Sequence, residues 1–362
     1  MLRILGSVMA LGMFLALFSP PLQALDPNYN FEVLTVDGET IDGLTVGSIQ
    51  SPQIDNFGKV VFFGGYQAGT ISGSALFTPN RVLVKSGDNI GGHILAGFGG
   101  FALDPVTGEL AFSAYDQRGA FLLFSMCDRL QPRLLASSGE KIDDLTLKEI
   151  LSVAVNANRF IAFSATYKDS KGNSGTGVFA PGRVLAKTGQ VIDGNVITSI
   201  RLGFLALSLE NVYFVAGTDS GATGIFSTHK AVVKTGENIG GNQITSIDYP
   251  AVNEFGNLVF AAVTTSGAGL FNPPRVVFTQ TFPLDDFPPA INDFGVLAYE
   301  VPAGINLDSS LLIAFNDTIG TNVINGLAFP VSLNDRDQVA IAGNIAGASD
   351  ALILATPKHH CQ

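Results

Sequence analysis

From residue 31 onward the chain alternates short apolar runs with clusters of Gly, Asn, Asp and Ser, and it keeps no helical spacing. The stretch VVKTGENIGGNQITSIDYPAVNEFGNLVFAAV, residues 232–263, shows the pattern: three Val/Ile/Phe-rich runs, a Gly-rich turn and an Asn-x-x-Gly turn. Runs this short, bounded by such turns, predict strands. Alternation within each run is imperfect, as expected for strands covered on both faces. In the turns, Asn hydrogen-bonds its own backbone two residues on, and Gly accepts a positive φ.

The pattern repeats. VLVKSGDNIGG (82–92) recurs as VLAKTGQVIDG (184–194) and VVKTGENIGG (232–241), with weaker copies VLTVDGETIDG (33–43) and LLASSGEKIDD (134–144). The marker glycines Gly38, Gly87, Gly139, Gly189 and Gly236 are spaced by 49, 52, 50 and 47 residues. A second marker follows each one, as in IDNFGKVVFF (54–63) and VNEFGNLVFAA (252–262), and returns twice more in INDFGVLAYE (291–300) and LNDRDQVAIAG (333–343). Each unit reads as four strands, a to d, and four strands per ~45–50 residues is the period of a propeller blade. The seventh unit lacks strand d, and FEVLTVDG (31–38) at the other end supplies one. The expectation is an all-β, seven-bladed β-propeller of four-stranded blades, closed by the N-terminal strand completing the last blade.

Asn253-Glu-Phe-Gly256-Asn-Leu-Val-Phe260 resembles the repeat of the exported bacterial NxxGxxAF tandem-repeat ("choice-of-anchor") proteins. The likeness covers nearly all of the chain after residue 24. Asp55, Asp104 and Ser208 replace the Asn in three units, Arg159 and Asp337 stand near the Gly, and the chain ends KHHCQ without a sorting tail. The resemblance implies an exported propeller and supplies no settled activity.

Composition and the ends set the address. Arg3, the apolar run Ile4 to Phe18, Pro20-Pro21 and Leu22-Gln23-Ala24 read as a signal peptide over 1–24, cleaved after Ala24. Residues 25–357 form the single propeller domain and 358–362 a tail. The apolar run is short for a membrane span, so the mature chain is expected to be secreted, without stable membrane insertion, as a monomer. A net charge of −11 argues against nucleic acid and against an anionic membrane surface. Cys127 and Cys361 are too few for a disulfide framework.

Candidate chemistry lies on the end shared by the d–a and b–c connections, where ligand sites sit on loops held by a scaffold. Glu39, Asp88, Glu140, Gln190 and Glu237 follow the marker glycines, and Asp42, Asp143 and Asp193 lie three positions on. They make either an acidic rim or ordinary carboxylates accepting N–H bonds in their own turns, and the repetition favours the turns. Tyr66, Tyr115-Asp116-Gln117-Arg118 and Tyr167-Lys168-Asp169 in the b–c loops suit sugar or peptide binding, against plain loop polarity. No nucleophile elbow, His-Glu-x-x-His or Cys-x-x-Cys occurs. His93 with Tyr115 and Arg118 would serve if the chain were an enzyme, and His229 falls at the opposite end. Asp169–Asn173 is the best place for a calcium loop but lacks the acidic ladder, so neither metal nor cofactor is expected. The reading is a non-catalytic propeller binding a protein or glycan. The alternatives are a secreted carbohydrate-active enzyme (lyase or glycoside hydrolase) using the same end, or a structural envelope or surface component.

Overall fold

The computed structural model describes residues 25–127, 130–280 and 288–358. The leader 1–24, His359, His360 and Cys361 lie outside the described residues. Within them every regular element is a strand, and the strands sort into seven antiparallel sheets, the blades. Blade 2 shows the plan: strand a His93–Leu103, b Leu110–Asp116, c Phe121–Met126 and d Arg133–Ser137, ordered by hydrogen bonding from d to a. The ring closes where the sequence placed the closure. Blade 7 takes a, b and c from Asn322–Leu333, Val339–Ile345 and Ala348–Pro357, and d from Tyr29–Val36. Tyr29 lies opposite Pro357 and Val36 opposite Ala351.

In five units a Phe of strand b faces inward. Phe62, Phe112, Phe163, Phe214 and Phe260 on strands b are fully buried and stack on Phe77, Phe124, Phe179, Phe226 and Phe271 of strands c. Apolar residues gather into seven clusters, one in each gap between neighbouring blades. The cluster holding Ala340, Ala342 and Leu352 of blade 7 also holds Val60, Phe62 and Phe77 of blade 1.

The d–a connections differ from the expected end loops. Each well-marked one is a hairpin with a two-residue first strand, such as Thr40–Ile41, Asn89–Ile90 and Lys141–Ile142, and it packs into the gap between two blades. Ile142 touches Ala111, Leu123 and Ala136 of blade 2 and Phe163 and Phe179 of blade 3 in one cluster. The physical reason is geometric: radiating blades diverge outward, and the widening gap must be filled to interior density. Ile41, Ile90, Ile142, Ile192, Ile239 and Ile319, all buried, do this. Hairpin tips are fastened to the outer strand of the following blade, where Asp42 Oδ2 accepts the Val82 N–H at 2.8 Å and Asp193 Oδ2 that of Ala231 at 3.3 Å. A sixth such turn stands before blade 7, where Asn316 replaces the marker glycine at φ 70°. Its N–H bonds Ile324 O at 2.8 Å, as the Gly38 N–H bonds Val46 O at 2.7 Å.

The a–b turns join blade to blade. Asn156 Oδ1 accepts the N–H groups of Asn158 and Phe160 in its own turn, while Nδ2 donates to Ser208 O of blade 4 at 2.7 Å. Asn253 donates likewise to Asn292 O, Asn292 to Asn334 O and Asn334 to Asp55 O. All four asparagines are buried. An amide both accepts in its own turn and donates across the gap. Asp55 has no side-chain donor and Ser208 makes no such forward bond, and backbone bonds replace it: Asn56 N–H to Pro105 O at 2.7 Å and Leu209 N–H to Glu254 O at 3.0 Å. Asn156→Asp keeps the local acceptor and sets a carboxylate against a buried carbonyl, so it should lower stability by about 1–3 kcal/mol. Urea unfolding checks this against the exposed Asn158→Asp, and equal losses would remove the cross-blade role.

Candidate functional site

At the d–a/b–c end, turn geometry absorbs most of the carboxylates. Glu39 Oε2 accepts from Val36 N at 3.3 Å and from Thr35 Oγ1, Asp88 Oδ2 from Lys85 N at 2.9 Å, and Glu140 Oε2 from Ser137 N at 3.1 Å. Gln190 and Asp317 repeat the bond to Lys187 N and Ala314 N. A side chain after the marker glycine thus ties off the end of strand d in its own turn. Glu237 is exposed, and its N–H bonds Lys234 O. Asp169 spends both oxygens on Lys171 and Asn173 of its own loop.

The expected exposure of Tyr66 and Tyr167 is corrected: both are buried. Each ring lies over a strand-c glycine, where a Cβ at Gly73 would sit 2.8 Å from the Tyr66 ring, and each hydroxyl bonds the end of strand d, at Ser86 or Thr188. Tyr66 pairs with Gly73 and Tyr167 with Gly175 across strands b and c. Blade 2 differs. Tyr115 is exposed, Arg118 is exposed beside it, and the buried Asp116 receives His93 Nδ1 at 2.8 Å. Asp116 Oδ1 also accepts the N–H groups of Arg118 and Ala120, each at 2.9 Å. The His93 hydrogen bond, ahead of the backbone ones, holds the Asp116 carboxyl below its ordinary range despite burial. Opposite an ionised carboxylate, Nδ1 of His93 is the donating nitrogen, and the bond fixes the orientation of the ring. Among the described residues no hydroxyl or thiol is bonded to that ring. The structure therefore joins His93, Asp116 and the Arg118 backbone, sets the Tyr115 ring against Gly97 and Phe121, and leaves the acidic positions distributed among separate blades.

The opposite end holds groups that sequence reasoning missed. There the a–b turns encircle the central axis, linked by Glu254 N–H to Asp293 Oδ1, Asp293 N–H to Asp335 Oδ1 and Asp335 N–H to Asn56 Oδ1, at 2.8–2.9 Å. Glu254 is only 9 % exposed and reaches past blade 4, where its Oε1 accepts the Ala157 N–H at 3.0 Å. Its Oε2 is buried with no hydrogen-bond partner. Burial, then the charges of Asp293, Asp104 and Asp335, push its carboxyl up to about 7, against the single opposing hydrogen bond from Ala157. Burial and Asp335 push Asp293 up as well. Among the described residues no three His, Cys, Asp or Glu side chains are grouped as metal ligands. Outside this ring stand exposed Phe57, Phe255 and Phe294, one residue before the turn glycine, and Arg133, Arg183 and Arg275 at the starts of strands d. That Phe and that Arg recur at fixed offsets in the repeat, so both were readable. Grooves of 720 Å³ between blades 3 and 4 and 580 Å³ between blades 7 and 1 also open here.

No family model and no curated protein matches the chain. Among solved structures, it is similar to the WD40 propeller domain of Doa1, at 10 % identity and TM-score 0.44 over 91 % of this chain and 97 % of that one. A catalytically inactive virginiamycin B lyase from Staphylococcus aureus, solved with quinupristin, matches at 12 % identity and TM-score 0.38 over 91 % and 100 %. An acylaminoacyl peptidase from Pyrococcus horikoshii matches at 9 % identity and TM-score 0.46 over 88 % of this chain and 52 % of that one. Such distant likenesses carry nothing about ligand or reaction.

The axial carboxylate makes stability depend on pH. Folded, Glu254 keeps its proton to about pH 7, whereas its ordinary value is 4.5. The native state therefore binds more protons between those values, so stability falls as pH rises through that window and stays low above it, by on the order of 3 kcal/mol. Glu254→Gln keeps an acceptor for Ala157 and removes the titration. Its unfolding free energy should match the parent near pH 4.5 and exceed it at pH 8, while parallel curves would refute the assignment.

Proposed function

We infer that the protein is an exported, non-catalytic propeller that binds a protein or glycan through its d–a/b–c end, with blade 2 as the point of contact. The observation that supports this most is the b–c loop of blade 2. Tyr115 is 40 % exposed there, next to exposed Arg118, on a loop pinned by Asp116 to His93. An exposed aromatic ring beside fixed donors offers a stacking face and directional hydrogen bonds at low ordering cost. The seven-bladed scaffold beneath it is rigid, which favours recognition by preformed geometry. The leader-like N-terminus and the resemblance to exported tandem-repeat proteins support the address.

A second reading, a secreted carbohydrate-active enzyme, draws on the same pair. An imidazole oriented by a buried carboxylate is the arrangement that a general base uses. Against it stands the lack, among the described residues, of a bonded nucleophile or a second acid beside His93.

Glycan-array and pull-down binding by the purified chain separates the two. Tyr115→Ala and Arg118→Ala should each weaken capture by about tenfold with an unchanged melting temperature. Polysaccharide turnover abolished by His93→Ala would instead establish the enzyme.

A further inference from the structure

We propose that the a–b/c–d end is a docking face for an anionic phospholipid bilayer, independent of the recognition surface on blade 2. The a–b turns present Phe57, Phe255 and Phe294 at 71 %, 72 % and 78 % exposure, and Val106 and Leu209 occupy the same turn region at 39 % and 37 %. Three Phe rings held this far into water at one end mark an interaction surface, whereas Ile71 is a comparably exposed apolar side chain at the other end. They belong to blades 1, 2, 4, 5 and 6, so the apolar tips surround the axial opening and do not merge into one patch. Each stands on its own hydrogen-bonded turn. Separated, protruding rings suit a fluid interface, which closes around every tip, better than a protein surface, which needs a matching pocket for each.

Charge favours the same occupant. Arg133, Arg183, Lys230 and Arg275 stand exposed at the c–d turns outside the Phe ring, and none has an acidic partner among the described residues. Arg183 lies over the Phe160 ring at 5.7 Å. Arg336 and Lys358 add exposed positive charge at this end, against exposed Glu32, Glu210 and Asp308 and the hairpin-tip Asp42 and Asp193, whose carboxylates are tied to Val82 N and Ala231 N. Of the axial acids, Glu254 is buried and Asp293 and Asp335 are half-buried. The chain's net −11 therefore hides a concentration of exposed basic side chains at this end. Apolar tips inside a basic rim reproduce the order of an interfacial anchor, rings in the acyl boundary and cations at the headgroups. Each basic residue brought to an anionic surface raises the partition about fivefold. Among the described residues no helix is long and apolar enough to cross a membrane, and this docking requires none.

The chain contains no Trp, so a single introduced one reports its own site without background. In Phe255→Trp, vesicles of phosphatidylglycerol and phosphatidylcholine should shift the emission to shorter wavelength and brominated lipid should quench it. Ile71→Trp, at the other end, should show neither. Flotation with the same vesicles should fall about tenfold in the triple Phe57→Ser, Phe255→Ser, Phe294→Ser variant, and similarly at high salt, with the melting temperature retained. Phosphatidylcholine alone should not capture the chain. An unshifted Phe255→Trp emission, or equal responses at both ends, would overturn the proposal. So would capture by a protein partner that the triple variant loses while vesicle flotation is unchanged.

Discussion

No blade of this protein can cover its own two faces. Strands b and c carry Phe and Val to both sides, and burying them takes a neighbour on the left and on the right. An open stack would leave the faces of its end blades in water, together with a free strand edge. The chain avoids both through one antiparallel pairing, residues 29–36 against 351–357. The gap between blades 7 and 1 is filled only once that pairing is made, because Leu34 and Leu354 pack against its cluster. Every other interface depends on this one.

Closure also explains why the ends of the propeller differ in chemistry. At one end the connections must cross between blades, and their hairpins are spent as wedges, with carboxylates turned back onto their own strands. At the other end, tight Asn-x-x-Gly turns link blade to blade through buried amides and press Glu254 into the axis. What remains exposed beyond those obligations is Tyr115 and Arg118 at one end, which do not repeat, and the Phe tips and the arginine rim at the other, which recur at fixed offsets.

The architecture was legible in the sequence because each turn states its own requirement. Gly38 through Gly236 occupy positive-φ positions, and in five units a buried Phe follows the first residue of the a–b turn by six to eight residues. The copy before blade 7 escaped notice because Asn316 meets the same φ without being glycine. The placement of the d–a hairpins was less legible, since Gly-rich turns look solvent-exposed on paper and only the recurring Ile betrays their burial. Tyr66 and Tyr167 looked like loop aromatics for a similar reason: their partners, Gly73 and Gly175, lie on the next strand. The perturbation of Glu254 could not be read at all, because it comes first from burial and then from Asp293, Asp104 and Asp335, and both arise only when the ring shuts. Net charge likewise averaged away the segregation of Arg to one end.

Native-state hydrogen exchange of residues 31–36 tests the closure most directly. Those amides should exchange as slowly as those of Val339–Ile345 in the same blade, through global unfolding alone, because opening the pair exposes the blade 7/blade 1 core. Fast exchange, of the kind a frayed terminus shows while the other six blades stay protected, would contradict a ring held shut by its own N-terminal strand.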